Sequence, residues 1–291
     1  MRKLLNVLYV TSPNAYVTCD GRNVVVRIEQ EERARVPIHI LESIVCFNYA
    51  GVSPPLMALC AESGVALSFL TERGHFLARL TGPTSGNVLL RRQQYRLADD
   101  LSQCAPVVAN IVSAKIANCR SVLRRALRDH GDVVNKKRLT QAVDELSECL
   151  RSAQESRDVD ELRGIEGRAA RAYFGVFDEL VLEDRSGFAF EGRNRRPPKD
   201  NMNALLSFLY TMLRHDVQSA LEVIGLDPYV GFLHRDRPGR PSLALDLMEE
   251  LRPYLADRIA LSLVNRRQIT SKGFRHLENP EFDTKSRFLV T

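Results

Sequence analysis

The sequence has no C-x-x-C pair and no cysteine cluster. Cys19, Cys46, Cys60, Cys104, Cys119 and Cys149 stand far apart. That spacing excludes a zinc ribbon or a dithiol redox motif and points to isolated thiols in a reducing compartment. No apolar run is long enough to cross a bilayer. Met1-Arg2-Lys3 leads only into a short strand-like run at 4–10, so a secretory leader is not expected and a cytosolic location is. There is no low-complexity tract and no internal repeat. Lysine is scarce, with Lys3, Lys115, Lys136, Lys137, Lys199, Lys272 and Lys285 making up the set, so the net charge of +5 is carried mostly by arginine. The planar guanidinium fork suits phosphate. Clustered arginine raises the case for a nucleic-acid partner.

What is present is an ordinary globular composition, 44% hydrophobic and 26% charged over 291 residues, enough for two domains. Residues 1–81 read as short strands at 4–10, 15–19, 23–29, 34–38, 43–48, 65–71 and 75–80, with one helix at 54–63 closed by Gly64. Asp20-Gly21-Arg22 and Arg73-Gly74 are hairpin turns. Short alternating strands predict two packed sheets. Turn formers concentrate in a linker at 82–86. Residues 87–291 change to helical spacing, with helices at 88–97, 106–129, 139–155, 158–181, 202–224 and 243–263. The fold class is therefore α+β, a small N-terminal β-sandwich followed by a larger all-α domain. Asp200 or Asn201 is expected to cap the fifth of these helices and Ser242 the sixth, with Pro253 bending the latter. The tail ends on a strand-like Phe288-Leu289-Val290. Arg120, Arg124, Arg125, Arg128, Lys136, Lys137 and Arg138 form a basic group. Singly, each is best explained as a solvated helix face; together they could contact a nucleic-acid backbone.

Four residues carry metal chemistry if they converge. Glu166 lies between Gly164 and Gly167 inside a helix, and each glycine costs about 1 kcal/mol there relative to Ala. Close approach of a neighbouring backbone is the simplest offset, and it would set Glu166 against another element. His234 precedes an Arg-, Pro- and Gly-rich loop. That loop delivers Asp246 and Glu249, which share a helix face at i and i+3. An imidazole with carboxylates suits Mn²⁺ or Mg²⁺ better than zinc, and such ions act on phosphates. Arg193, Arg195, Arg196, Lys199, Arg235, Arg237 and Arg240 flank the acids and would hold phosphates. From spacing alone each residue also has a plainer reading: Glu166 paired to Arg163 or Arg171, His234 a satisfied histidine, Asp246 a first-turn acid, Glu249 solvated.

Three blocks resemble the CRISPR-associated protein one family, in the form accompanying subtype I-C systems. They are Gly164-Ile165-Glu166-Gly167 with Ala169 to Phe174, Arg195 to Tyr210, and Gly231-Phe232-Leu233-His234 with Arg240 to Glu250. The resemblance implies an N-terminal β-rich dimerisation domain and a helical catalytic domain. It implies a metal-dependent endonuclease and integrase of spacer acquisition, with Glu166, His234 and Glu249 as catalytic ligands of Mn²⁺ or Mg²⁺. Asp246 is then a supporting acid or a further ligand. The implied partners are a second copy of the chain, double-stranded DNA of prespacer and CRISPR repeat, and the small second CRISPR-associated protein. Members of the family usually continue past Thr291. Two alternatives stay open at this point: a catalytically silent DNA-binding or assembly module, and a branched-DNA nuclease without integrase activity.

Overall fold

The computed structural model describes residues 6–48, 50–72, 76–80, 88–194, 197–277 and 287–290, with the side chains of 275–277 and 287–290 left out. The chain divides into two compact units, Met1–Val88 with Val223–Gly225, and Leu89–Glu222 with Leu226–Thr291.

The smaller unit runs β1 (Val7–Val10), β2 (Ala15–Asp20), β3 (Asn23–Ile28), β4 (Glu31–Pro37), β5 (Ser43–Cys46), β6 (Gly51–Val52), α1 (Pro54–Ser63), β7 (Ala66–Leu70) and β8 (Phe76–Leu80). One sheet has the order β1-β5-β7-β8 and the other β4-β3-β2-β6. The β2–β3 hairpin closes on Gly21 at φ +55°, the backbone that an Asp-Gly turn was chosen for. Ser53 caps α1 through the Leu56 amide, and Gly64 ends it at φ +66°. Val17, Val24 and Val26 from one sheet share a core with Ile44 and Leu67 from the other, and Leu56 of α1 joins them. Two sheets around one core are the expected sandwich. The β7–β8 pair is antiparallel as a hairpin requires; its turn at Arg73-Gly74 and the linker at 82–86 lie outside the described residues.

The larger unit holds α2 (Val88–Asp99), α3 (Leu101–His130), α4 (Lys136–Glu155), α5 (Val159–Phe174), α6 (Asn201–Ile224), α7 (Ser242–Leu251) and α8 (Arg258–Asn265). Side-chain caps start three of these where the sequence supplies an oxygen: Asp100 for α3, Asn135 for α4 and Asp158 for α5. Asp200 caps α6 by accepting from the Asn203 amide at 2.7 Å. The core runs through Val112, Ile116 and Leu123 of α3, Leu139 and Leu146 of α4, and Leu162 and Tyr173 of α5. One antiparallel ladder, β9 (Phe274–Leu277) with β10 (Arg287–Val290), departs from an all-helical unit and takes up the strand-like tail.

Three local expectations fail for identifiable reasons. The helix expected over 158–181 stops at Phe174. The Gly175 amide turns back to the Arg171 carbonyl, its own carbonyl is taken by Arg138 at 2.8 Å, and a 3₁₀ turn at Phe177–Leu180 follows. Ser242 does not cap α7; it is the first helical residue, after Pro241. Gly164 and Gly167 are not approached by a neighbouring backbone. A Cβ at 164 would meet nothing within 4 Å, and one at 167 only the Arg171 guanidinium at 3.9 Å. Among the described residues those glycines therefore face open space on a side of α5 other than that of Glu166. Pro253 does interrupt its helix, as a π-turn at Arg252–Asp257 between α7 and α8.

α3 is the longest helix and carries a residue of the site described below, so its start matters. Asp100→Ala removes acceptors for the Ser102 and Gln103 amides. It should cost about 1 kcal/mol in urea unfolding. Unchanged stability would show that the cap does not hold α3.

Candidate metal centre

Helices α3, α5 and α7 bring three side chains to one point. The Lys115 ammonium donates to Glu166 Oε1 and, at 2.5 Å, to Glu249 Oε2. Arg252, one turn along from Glu249, pairs with Glu249 Oε1 at 2.5 Å. Lys115 is 7% exposed and Glu249 3%. A charge so buried persists only when it is paired. Asn118 of α3 donates to the Glu250 carbonyl at 2.8 Å and locks α3 to α7 at this level.

His234 is placed by a separate device. Asp246 on α7 is fully buried and accepts from the backbone amides of Phe232 at 2.6 Å, Leu233 at 2.9 Å and His234 at 2.9 Å. Its Oδ1 also lies 2.7 Å from His234 Nδ1. A carboxylate accepts, so Nδ1 is the ring nitrogen turned to donate to Asp246, which leaves Nε2 as the atom facing away from it. Gly231 makes the approach possible, because a Cβ there would stand 2.7 Å from Ser242 Cβ and 2.9 Å from Asp246 Oδ2. The segment is pinned at both ends. Gln94 of α2 donates to the carbonyls of Asp227 at 2.7 Å and Val230 at 2.9 Å. Arg163 of α5 donates to the Leu233 carbonyl at 2.7 Å, one turn before Glu166.

Burial is the largest single influence on Glu249 and would raise its pKa. Arg252 and Lys115 together outweigh it, with His234 adding to them, and hold the carboxyl well below its usual range. Lys115 shows the mirror case: burial opposes its charge, but Glu249 and Glu166 prevail and its pKa is raised. Asp257, at the end of the π-turn, forms no ion pair among the described residues, though Arg252 and Arg193 act on it from further off. Burial pushes it up to about 6 against hydrogen bonds from Tyr210 and Tyr173.

Of the residues selected from sequence, Glu166 and Glu249 converge directly. His234 stands close enough to contribute to the field on Glu249. Asp246 faces the backbone and the histidine. Among the described residues no three His, Cys, Asp or Glu side chains are grouped at ligand spacing; the cation joining the two glutamates is the Lys115 ammonium. That ammonium serves as the test of fit. Buried Glu249 and half-buried Glu166 already hold one positive charge between them, and an imidazole nitrogen stands by, a donor set of the kind that Mn²⁺ and Mg²⁺ accept.

The flanking basic residues separate. Arg235 and Arg237 are exposed beyond His234, with Arg235 reaching Asp160 at 3.1 Å; Lys199 is exposed and Arg240 half-buried. Arg193 turns inward, to Asn203 at 2.7 Å and over the Tyr210 ring at 5.1 Å. Arg195 and Arg196 lie outside the described residues. Much of the α3–α4 basic group is paired: Arg138 to Asp178 and Glu179, Arg125 and Arg128 to Asp129, Lys136 to Asp132. Sequence reading missed Lys115 and Arg252. A lone lysine beside Ile111, Val112 and Ile116 on an otherwise apolar stripe was the available signal for the first.

Comparison with known proteins gives consistent matches. The family described as "CRISPR associated protein Cas1" matches residues 8–286. A protein of Chlorobaculum tepidum described as "CRISPR-associated endonuclease Cas1 1" is 52% identical over 274 residues, 94% of this chain and 80% of that protein. One of Rhodospirillum rubrum, "CRISPR-associated endonuclease Cas1 2", is 51% identical over 284 residues, 96% of this chain and 81% of that one. The solved structure of a CAS1 protein from Thermotoga maritima superposes with a TM-score of 0.79 at 25% identity, covering 99% of this chain and 85% of that one.

Two outcomes test the electrostatics. Lys115→Met leaves half-buried Glu166 and buried Glu249 without their shared cation, Glu249 keeping only Arg252, and should lose roughly 3 kcal/mol in urea unfolding with chelator present. Mn²⁺ should return part of that loss; a variant as stable as wild type in chelator would contradict the pairing. Asp257 has a folded pKa above its ordinary value, so the native state keeps the proton longer than the unfolded chain. Stability should then fall as pH rises from about 4 to about 6, by on the order of 3 kcal/mol. Asp257→Asn should lack that fall. Parallel pH curves for the two proteins would rule it out.

Proposed function

The chain belongs to the CRISPR-associated Cas1 family, and from that premise we propose that it is a metal-dependent DNA endonuclease and integrase of CRISPR adaptation. The observation that carries the reading is the pair of carboxylates, buried Glu249 and half-buried Glu166, drawn onto one positive charge beside an oriented histidine. A silent DNA-binding module has no use for that arrangement, because burying Glu249 with its cation and setting a second acid against them is costly.

Glu166, Glu249 and His234 Nε2 would hold Mn²⁺ or Mg²⁺, with Asp246 acting through the histidine. When bound, the ion supplies charge stabilisation at the scissile phosphate and lowers the pKa of the attacking hydroxyl. Asp246 fixes the tautomer that presents Nε2. Arg252 keeps Glu249 ionised. Lys115 must release its two carboxylates to an ion, and its own positive charge then lies beside the phosphate. Glu166 has 26% of its side chain exposed, against 4% for Glu249, so substrate approaches from its side. Arg235, Arg237, Arg240 and Lys199 grip the phosphodiester backbone, together with Arg195 and Arg196.

In the integrase reaction a prespacer 3′-hydroxyl attacks a phosphodiester at the repeat boundary. One P–O bond forms as another breaks, and a new 3′-hydroxyl leaves. With water as the nucleophile the same site cuts without joining, which is the branched-DNA nuclease reading. The working assembly is a homodimer with the small second CRISPR-associated protein on duplex DNA.

The test is strand transfer from a 3′-hydroxyl duplex into a repeat-bearing plasmid, with the small partner, in Mn²⁺ and in chelator. Glu166→Ala and His234→Ala should each lose about 100-fold or more in rate, beyond what an outer partner of a metal ligand costs. DNA affinity should stay nearly intact. Full transfer by either variant would end the reading. Arg235→Ala with Arg237→Ala should weaken DNA binding uniformly across sequences and flatten its salt dependence by about one unit of slope per arginine. An unchanged slope would place the backbone elsewhere.

A further inference from the structure

One helical turn past the converging residues, the same elements enclose a cavity of about 200 Å³. Cys119 follows Lys115 on α3, Ala170 follows Glu166 on α5, and Pro253 follows Glu249. Its buried wall is an aromatic and charged ladder. Asp257 is 1% exposed and accepts from the Tyr210 hydroxyl at 2.7 Å and the Tyr173 hydroxyl at 3.1 Å. The Tyr210 ring lies against two guanidinium groups, Arg252 at 5.0 Å and Arg193 at 5.1 Å. Arg252 in turn holds Glu249 Oε1 at 2.5 Å. The contacts thus run Asp257 to Tyr210 to Arg252 to Glu249.

The π-turn at Arg252–Asp257 is what closes this ladder. Its wider i→i+5 turn sets residues five apart one above the other, so Arg252 and Asp257 reach the same tyrosine. A regular α-turn of 3.6 residues would aim them at different faces. Fold stability alone does not account for the acid. Among the described residues no cation forms an ion pair with Asp257; burial opposes its charge, and the Tyr210 and Tyr173 hydroxyls and the more distant Arg252 and Arg193 only partly offset it.

We propose that Asp257 is a positioning residue, which anchors Tyr210 beneath Arg252 and through Arg252 fixes Glu249 for the divalent ion. This rests on the reading of Glu249 as a metal ligand. Asp257 stands three contacts from Glu249, and each contact restricts the next. Tyr210 cannot rotate while its hydroxyl is held. The Arg252 guanidinium sits over the ring at 5.0 Å, and the same group meets Glu249 Oε1 at 2.5 Å.

The test uses the full chain, with Asp257→Asn and Tyr210→Phe, variants that keep shape and delete one charge or one hydroxyl. Mn²⁺ binding is read from the free-ion electron paramagnetic resonance signal, without turnover, and from the Mn²⁺ concentration giving half-maximal DNA nicking. Each variant should raise both midpoints about 10-fold, the scale on which an outer partner of a metal ligand acts. DNA affinity in chelator should stay within about twofold of wild type, a separation that general loosening of the fold would not give. In an Arg252→Ala background, Asp257→Asn should add little, because the effect passes through that arginine. Midpoints unchanged in the folded variants, or effects that simply add to Arg252→Ala, would overturn the proposal. If Asp257→Asn does not fold, Tyr210→Phe decides alone. Wild-type protein that neither binds Mn²⁺ nor nicks DNA with it would instead remove the metal reading on which the proposal stands.

Discussion

The ammonium of Lys115 between Glu166 and Glu249 is the contact on which the helical unit turns. Two carboxylates brought within about 5 Å of each other repel by roughly 3 kcal/mol even at an effective dielectric near 20. The chain accepts that repulsion because Lys115 on α3 and Arg252 past α7 neutralise it. α3, α5 and α7 pack through apolar cores, and at this level they also hold those charges together, Glu249 out of water and Glu166 at the edge of it. A protein shaped only for stability would fill the point with apolar side chains.

The histidine obeys a different logic. Asp246 spends its four contacts on three successive amides and one ring nitrogen. Backbone and side chain of His234 are therefore fixed by one buried carboxylate. Gly231 is the residue that lets the two chain segments come so close. Lys115 and Asp246 divide the work, one holding charge and the other holding direction.

Features set by near neighbours were legible in the sequence. The Asp20-Gly21 turn, the Gly64 stop, the Asp200 cap and the break at Pro253 each depend on residues a few positions apart. Glu166, His234 and Glu249 were singled out by local pattern and by family resemblance. Lys115 was not, because its partners lie 51 and 134 residues away and no period in the sequence links them. Gly164 and Gly167 drew notice, but for a backbone contact that does not exist; open space leaves no mark in a sequence. Asp246 was visible as an acid at i−3 from Glu249. Its task depended on three amides converging on one carboxylate, and only the folded loop shows that. Arg193 looked like its exposed neighbours and proved to be turned inward by Asn203, ten residues on.

The central claim is that the place held by the Lys115 ammonium is the place of the divalent ion. Crystals of the protein soaked in Mn²⁺, with data at the manganese absorption edge, test it most directly. The account predicts an anomalous peak between Glu166 and Glu249, with His234 Nε2 turned toward it and Lys115 Nζ withdrawn from at least one carboxylate. Lys115 still bridging both glutamates, with no peak between them at saturating Mn²⁺, would contradict it.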